Sequence, residues 1–471
     1  MSKLVLFGVG TYYEKFKMVY SGQDEIVGIL DNNPLLWGTE KDGVLITRPE
    51  DVGKIVHDYV IPLCARPYEM REQLLELGED KEKICYFEEY RAVKKGHVIE
   101  LYQKNETDLK EKRGEILIVS TRLDYNGGSL AAVYAAKALL LKGNKVILAA
   151  PEGNERFVTE IMESGVDVAI CPGLPYLTET LRAWIQRFDT VIVNVFQMVV
   201  TACEISKVKP TLWWIHECSA QYEEHYEVTR KQYSGYENIG SRNGLKVVGV
   251  SSVAAENFNA YYPAVIKDIL PYGIPDERKY GVCLKKRERM IFAVIGNVCK
   301  RKAQKLLLRA FSKLDENYRN RMEIWFVGSD TSQYGKEVKE MVKELPNVRM
   351  LGVKSREEIV CLYEEMDVVV CCSLEETMSL TITEGMMFGK VCICTDSAGM
   401  ADYIQDGVNG FVFRCADSDD LAEKLKKAVE LGETAEKMAA EAMETYDKFF
   451  SMDVFGDNIE KFLSEVKGDK R

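Results

Sequence analysis

Two glutamates, Glu376 and Glu384, stand with seven residues between them. Between them runs Thr377-Met378-Ser379-Leu380, which should turn from a strand ending near Cys371 into a helix. The amides at such a turn point outward without partners, and a diphosphate can accept from them. Glu384 would lie along the helix, able to accept from ribose hydroxyls. Glu376, just before the turn, could accept from sugar hydroxyls. The pair alone reads first as the ordinary preference for acids at a helix start, and its neighbours change that reading.

A second cluster is cationic. In the stretch Ile295 to Phe311 a strand ends near Gly296, and a loop carries Lys300, Arg301 and Lys302 into a helix. Three cations at a helix start oppose the macrodipole. The arrangement makes sense if an anion sits among them; a solvated basic loop is the alternative. A third feature is Gly127-Gly128, ahead of a helix expected from Ser129. Glycines there let the backbone approach a phosphate closely. The fourth is His216 in Trp213-Trp-Ile-His-Glu217, at the carboxyl end of a buried strand.

In order and spacing, these motifs resemble the retaining glycosyltransferases of family 4, which have the GT-B fold. The likeness rests on Ser373, Glu376, Glu384, Gly389, Ser397-Ala-Gly399 and Asp406-Gly-Val-Asn-Gly410, and on Lys302 upstream. Val250-Ser-Ser252 and the hinge segment Leu270-Pro-Tyr-Gly-Ile274 support it, and it runs from about Glu115 to the C-terminus. Four departures stand out. Thr377-Met-Ser379 replaces a glycine-rich turn, Asp402 a common glutamate, Asn297 an arginine and Ala303 a glycine.

The resemblance implies roles. Lys302 and Arg301 would neutralise the donor diphosphate, and Glu376 and His216 would meet the transferred sugar. Gly127, Gly128, Gly296, Thr377, Met378, Ser379, Leu380 and Glu384 would line the donor site. It implies transfer from a nucleotide-sugar to a hydroxyl on a glycan or on a lipid-linked or protein-linked saccharide, with retention and without metal or other cofactor. The leaving phosphate would take the acceptor's proton. A phosphorylase or epimerase of the same form lacks supporting context. A silent subunit that stabilises a partner transferase is favoured by Asn297 and Ala303 and disfavoured by Glu376, Glu384 and Lys302.

The N-terminal block carries Gly8-Val-Gly10 after a first strand and Asp31 at the end of a second, as a ribose-binding acid would stand. It lacks the third glycine of the dinucleotide fingerprint, and Tyr12 and Tyr13 would crowd a pyrophosphate. It is similar to small Rossmann-like domains that precede some sugar-modifying transferases. A second nucleotide site at Gly8, Gly10 and Asp31, or a scaffold, are both open readings.

These residues need elements to position them. Short apolar runs alternate with helical patterns throughout, the signature of parallel sheets with crossover helices. The expected fold class is α/β: two facing Rossmann-like domains in GT-B form, preceded by an N-terminal Rossmann-like domain. Expected boundaries are 1–105, 113–270 and 271–440, with a helical tail at 441–471 packing back on the second domain. A polar linker is expected from about His97 to Lys112, a strand at Ile84–Phe87, and an irregular connection over Gln221–Asn243.

Composition sets the limits. The 471 residues are 46% hydrophobic and 29% charged, ordinary for a globular chain. Seventy-four acids against 62 bases give a net charge of −12, which excludes a general nucleic-acid coat. The 13 cysteines include no Cys-x-x-Cys pair, and four histidines make a zinc site improbable. The cysteines read as reduced core residues of a cytoplasmic protein. No run reaches the ~18 apolar residues of a spanning helix, and the first residues read as a strand and not a signal peptide. The basic cluster at Lys285-Lys-Arg287 and Arg289 reads first as a solvated loop and second as a peripheral contact with anionic lipid.

Overall fold

The computed structural model describes residues 2–14, 24–64, 67–87, 90, 99–103, 114–177, 179–232, 239–278 and 287–468. Within them the chain builds three mainly parallel sheets. The first has the spatial order Glu40–Lys41, Val44–Thr47, Glu25–Leu30, Lys3–Phe7, Tyr59–Pro62, with the opening hairpin antiparallel. The second runs Leu245–Gly249, Thr211–Ile215, Thr190–Asn194, Glu115–Val119, Lys145–Ala150, Asp167–Ile170, Glu100–Tyr102. The third runs Val348–Gly352, Met322–Val327, Met290–Ile295, Val368–Cys371, Val391–Thr395, Phe411–Phe413.

The central strands are apolar runs with both faces covered, as parallel sheets require. Every residue of Thr190–Asn194, Thr211–Ile215 and Val391–Thr395 is buried. One apolar core runs through both large sheets, joining Ile118 and Trp214 of the second to Cys371 and Cys394 of the third.

Three expectations need correction. Residues 219–232 form the α-helix Ser219–Gln232 where an irregular connection was expected; 233–238 lie outside the described residues. Tyr222 and Tyr226, four apart and so on one helix face, pack on Tyr261 and Tyr262 of the next helix. Their aromatic weight outvotes a polar composition. The expected linker contains the strand Glu100–Tyr102, paired antiparallel to Asp167–Ile170, so the second sheet reaches back before residue 105. Three exposed residues carry too little alternation to announce a strand; 104–113 lie outside the described residues. Ile84–Phe87 is not a strand: it meets the first sheet through one bridge, Ile84 to Val60.

The tail forms helices Thr434–Phe449 and Met452–Lys467, broken at Phe450-Ser451. The last helix lies along helix Gly127–Leu141 and its flank. Lys142 bonds to Asp453 and Asp457 at 2.7 and 2.6 Å, and Asn144 to Glu460 at 2.9 Å. The hinge segment is pressed against this tail: a Cβ on Gly273 would lie 2.6 Å from that of Phe455.

Candidate active site

The loops after four strands converge on one cavity of about 310 Å³, at the carboxyl ends of the second and third sheets. Parallel sheets place ligands there because the loops and helix starts meet at that edge. From the second sheet come Gly127, Gly128, Tyr134 and His216; from the third, Gly296, Arg301, Lys302, Glu376, Thr377, Met378, Leu380 and Thr381. Tyr272, on the hinge, closes one side, its hydroxyl 3.4 Å from the Met378 carbonyl.

The charged centre is compact. Glu376 Oε2 accepts from Arg301 Nη1 at 2.9 Å and from Lys302 Nζ, with Ser373 Oγ at 3.4 Å behind it. Two cations face one carboxylate, which leaves the centre net positive. Burial works against both cations, but Glu376 outweighs it and raises their pKa values. Both stay charged at working pH. Opposite them, Ser379 caps the helix Leu380–Met387, its hydroxyl accepting from the Ile382 amide. The macrodipole adds positive potential at that end.

Local backbone accounts for the small residues. Gly296 has φ +136°, and its bare α-carbon faces the Lys302 side chain, 3.6 Å from where a Cβ would be. Ala303 sits at φ +49°, in the left-handed region, before helix Gln304–Lys313. A glycine is the unstrained choice there; this chain makes the same turn with alanine. Gly128 packs against Val195, where a Cβ would lie 3.2 Å from Cγ1, and its carbonyl accepts from Asn194. Val195 itself has φ +73°, rare for a β-branched residue and found here beside the cavity. Asn126 caps the helix that begins at Gly127, accepting from the Ser129 amide at 2.9 Å. Asn126→Ala should cost about 1 kcal/mol, read as a lower urea midpoint; an unchanged midpoint would show the cap to be idle.

The His216 ring lines the cavity and packs edge-on against Trp214, 4.2 Å between centroids. Its Nε2 is enclosed without a hydrogen-bond partner. Burial pulls its pKa from 6.5 down to about 3, so the ring is neutral at working pH. As pH falls from 6.5 the unfolded chain takes up this proton first. The residue's contribution to stability is therefore complete above pH 6.5 and is lost on descending towards pH 3. His216→Gln should flatten the acid-side fall in melting temperature; an unchanged slope between about pH 6.5 and pH 4 would contradict this assignment.

Some expected residues lie elsewhere. Glu384 is behind the cavity wall, its side chain 3% exposed. Arg356 takes one carboxylate oxygen and the Tyr363 hydroxyl the other, at 2.7 Å, and burial raises its pKa. In this arrangement it is not presented to a ribose. Asp31, just after the strand Glu25–Leu30 of the first sheet, accepts from the amides of Val9 at 3.0 Å and Asn33 at 2.8 Å. It ties two loops together. Gly8, at φ +108°, is needed where a Cβ would lie 3.0 Å from the Leu63 carbonyl oxygen; Gly10 is open. Lys285 and Lys286 of the basic cluster lie outside the described residues, and Arg287 is paired with Glu365.

Other residues went unnoticed in the sequence. Glu217 is buried behind His216 and accepts from the amides of Phe196 and His216; burial raises its pKa to about 7. Glu375 reaches across the cleft. Each stands beside a residue that was singled out, and adjacency was the available signal.

Two parallel α/β halves facing one another across such a cleft make a GT-B fold, and solved structures bear this out. The chain superposes on Anabaena Alr3699/HepE, solved in complex with UDP-glucose, with TM-score 0.61 and 17% identity, over 75% of this chain and 100% of that one. It superposes on sucrose-phosphate synthase from Thermosynechococcus elongatus with TM-score 0.59 and 14% identity, over 76% and 100%. Residues 278–445 match the family model for glycosyl transferases group 1, and residues 1–85 the model for C2185-like N-terminal regions. A sulfoquinovosyl transferase, SQD2 of Arabidopsis thaliana, is 29% identical over 166 residues, 34% of this chain and 31% of that protein. The chain spans between 20% and 54% of the length of the curated relatives it matches. Among the described residues, no helix is long and apolar enough to cross a membrane.

Proposed function

We propose that this protein is a glycosyltransferase that moves a sugar from a nucleoside-diphosphate donor to a hydroxyl acceptor, with retention at the anomeric carbon. The observation that carries the reading is the meeting of Arg301 and Lys302 with Glu376, across a cavity from a capped helix start. The group 1 match and the GT-B fold support it.

Departure of the diphosphate is the main electrostatic demand. Preorganised cations and amides aimed at developing charge meet that demand without reorganising at the moment of reaction. Lys302, Arg301 and the amides around Ser379 and Leu380 take that part, with no metal assigned. An arriving diphosphate competes with Glu376 for the two cations. The carboxylate so released faces the sugar hydroxyls. Neutral His216 contributes a hydrogen-bonding edge and no charge. The leaving phosphate takes the acceptor's proton, so no general base is assigned. Gly127, Gly128, Gly296, Thr377 and Met378 shape the donor pocket by close backbone approach.

The acceptor is proposed as a saccharide, free or lipid-linked, and the enzyme as cytoplasmic. The buried cysteines Cys171, Cys203, Cys371, Cys372, Cys392 and Cys394 are free thiols, which favours that compartment. The first block, which ends before the strand Glu100–Tyr102, is proposed as a scaffold; the amide bonds that occupy Asp31 favour this over a second nucleotide site. A thermal-shift panel of nucleotide-sugars tests the reading. A selective rise with one donor is expected, and no rise with any donor would count against it.

A further inference from the structure

Residues 375–377 run through a one-residue bridge at Glu376 into a bend at Thr377. Glu376 makes an isolated parallel bridge with Ala398: its amide donates to the Ser397 carbonyl at 3.2 Å, and its own carbonyl accepts from Gly399 at 3.0 Å. Around a bridged residue, as in a strand, successive side chains point to opposite sides. Glu376 turns toward Arg301 and Lys302 in its own half. Its two neighbours turn the other way, toward the half built on the second sheet.

Both neighbours make contact there. Thr377 Oγ1 donates to the His216 carbonyl at 2.8 Å. Glu375 does more. Its Oε1 accepts from the Ser219 amide and from Asn257 Nδ2, and its Oε2 from the Ser219 hydroxyl, each at 2.7 Å. Ser219 opens the helix Ser219–Gln232. The residue before it is Cys218, whose thiol is a poor acceptor where serine, threonine, aspartate or asparagine normally caps. Gln221 already reaches back to the Cys218 amide at 3.0 Å, which is half of a capping box. The carboxylate at this helix start arrives from the opposite half of the molecule. The backbone of Glu375 is tied to the charged centre as well, since its carbonyl accepts from Arg301 Nη1 at 3.0 Å.

We infer that Glu375 is a positioning residue that latches the two halves of the cleft shut, by capping the helix Ser219–Gln232 from across the gap. The same three-residue segment then carries Glu376 on its inner side. Closure and the placing of the charged centre are thus one event. The inference stands on hydrogen bonds across the cleft and holds whatever the cavity binds.

The test uses the full chain without ligand. In Glu375→Ala, amide exchange at residues 219–221 should rise at least about tenfold, since a capped first turn becomes an open one. The radius of gyration from small-angle scattering should increase. Glu375→Gln, which keeps an acceptor but loses the charge, should fall between wild type and Glu375→Ala. The double variant Ser219→Ala, Asn257→Ala removes two of the three bonds from the other side. It should expand the molecule in the same way, and adding Glu375→Ala to it should add little. Unchanged exchange and scattering in Glu375→Ala would overturn the inference, as would strict additivity in the triple variant. Should Glu375→Ala fail to fold, the double variant alone decides: expansion supports the latch and no expansion rejects it.

Discussion

Lys302→Ala should lower turnover about a thousandfold, the upper range for losing one preorganised donor at a developing anion, while the melting temperature hardly moves. The two halves of this expectation have separate causes. Lys302 Nζ faces the cavity beside Glu376, where a departing diphosphate would develop its charge. Removing it takes away a cation that water cannot replace in an enclosed site. Stability is spared because Glu376 is not orphaned: Arg301 Nη1 remains at 2.9 Å and Ser373 Oγ at 3.4 Å. Buried charge is costly when it loses every partner, which does not happen here. Donor consumption and thermal unfolding, measured on the same preparation, check both parts. A variant that kept a tenth of its turnover or more would remove Lys302 from the centre.

Gly399→Ala carries the second large effect, on stability. A Cβ there would lie 2.2 Å from the Thr377 carbonyl oxygen, 2.3 Å from Ser251 Cβ and 2.5 Å from Ser251 Oγ. The first obstacle is backbone and cannot rotate away. The other two belong to the cap of helix Ser252–Tyr261, in the opposite half. The added methyl must push the loop off its bridge with Glu376, or push the halves apart. A cost of about 3 kcal/mol is expected, the upper range for overpacking a tight contact. Urea unfolding measures it, and a loss below about 1 kcal/mol would mean that the contact yields easily.

Gly399 also shows what the sequence could and could not reveal. The small-residue loop Ser397-Ala-Gly399 was legible as a motif, but not the reason for its smallness, which is a helix of the other half packed against it. The same holds for Asp406-Gly-Val-Asn-Gly410. Asp406 accepts from Lys424 and the Val412 amide, and Asn409 bonds to Thr445 on the penultimate helix. Those residues hold the fold together at a distance from the cavity.

Strands with both faces buried announced themselves, because a short, continuous apolar run between turn residues must be covered on both sides. The three-residue strand Glu100–Tyr102 did not, since all of its residues are exposed. The cations at 300–302 were legible because they oppose a helix dipole. The position of Glu384 was not, because its partner Arg356 lies on another helix and nothing in the spacing links them. Glu375 was illegible for a similar reason: its partners, Ser219 and Asn257, are far away in the chain.

Arg301, Lys302 and Glu376 are proposed to form a donor site that works in sugar transfer. The most direct test is release of nucleoside diphosphate from a panel of nucleotide-sugars, with wild type and Lys302→Ala assayed side by side. Wild type is expected to turn over one donor selectively, and Lys302→Ala to lose nearly all of that release. Equal release by both proteins, or none by wild type with any donor, would contradict this assignment.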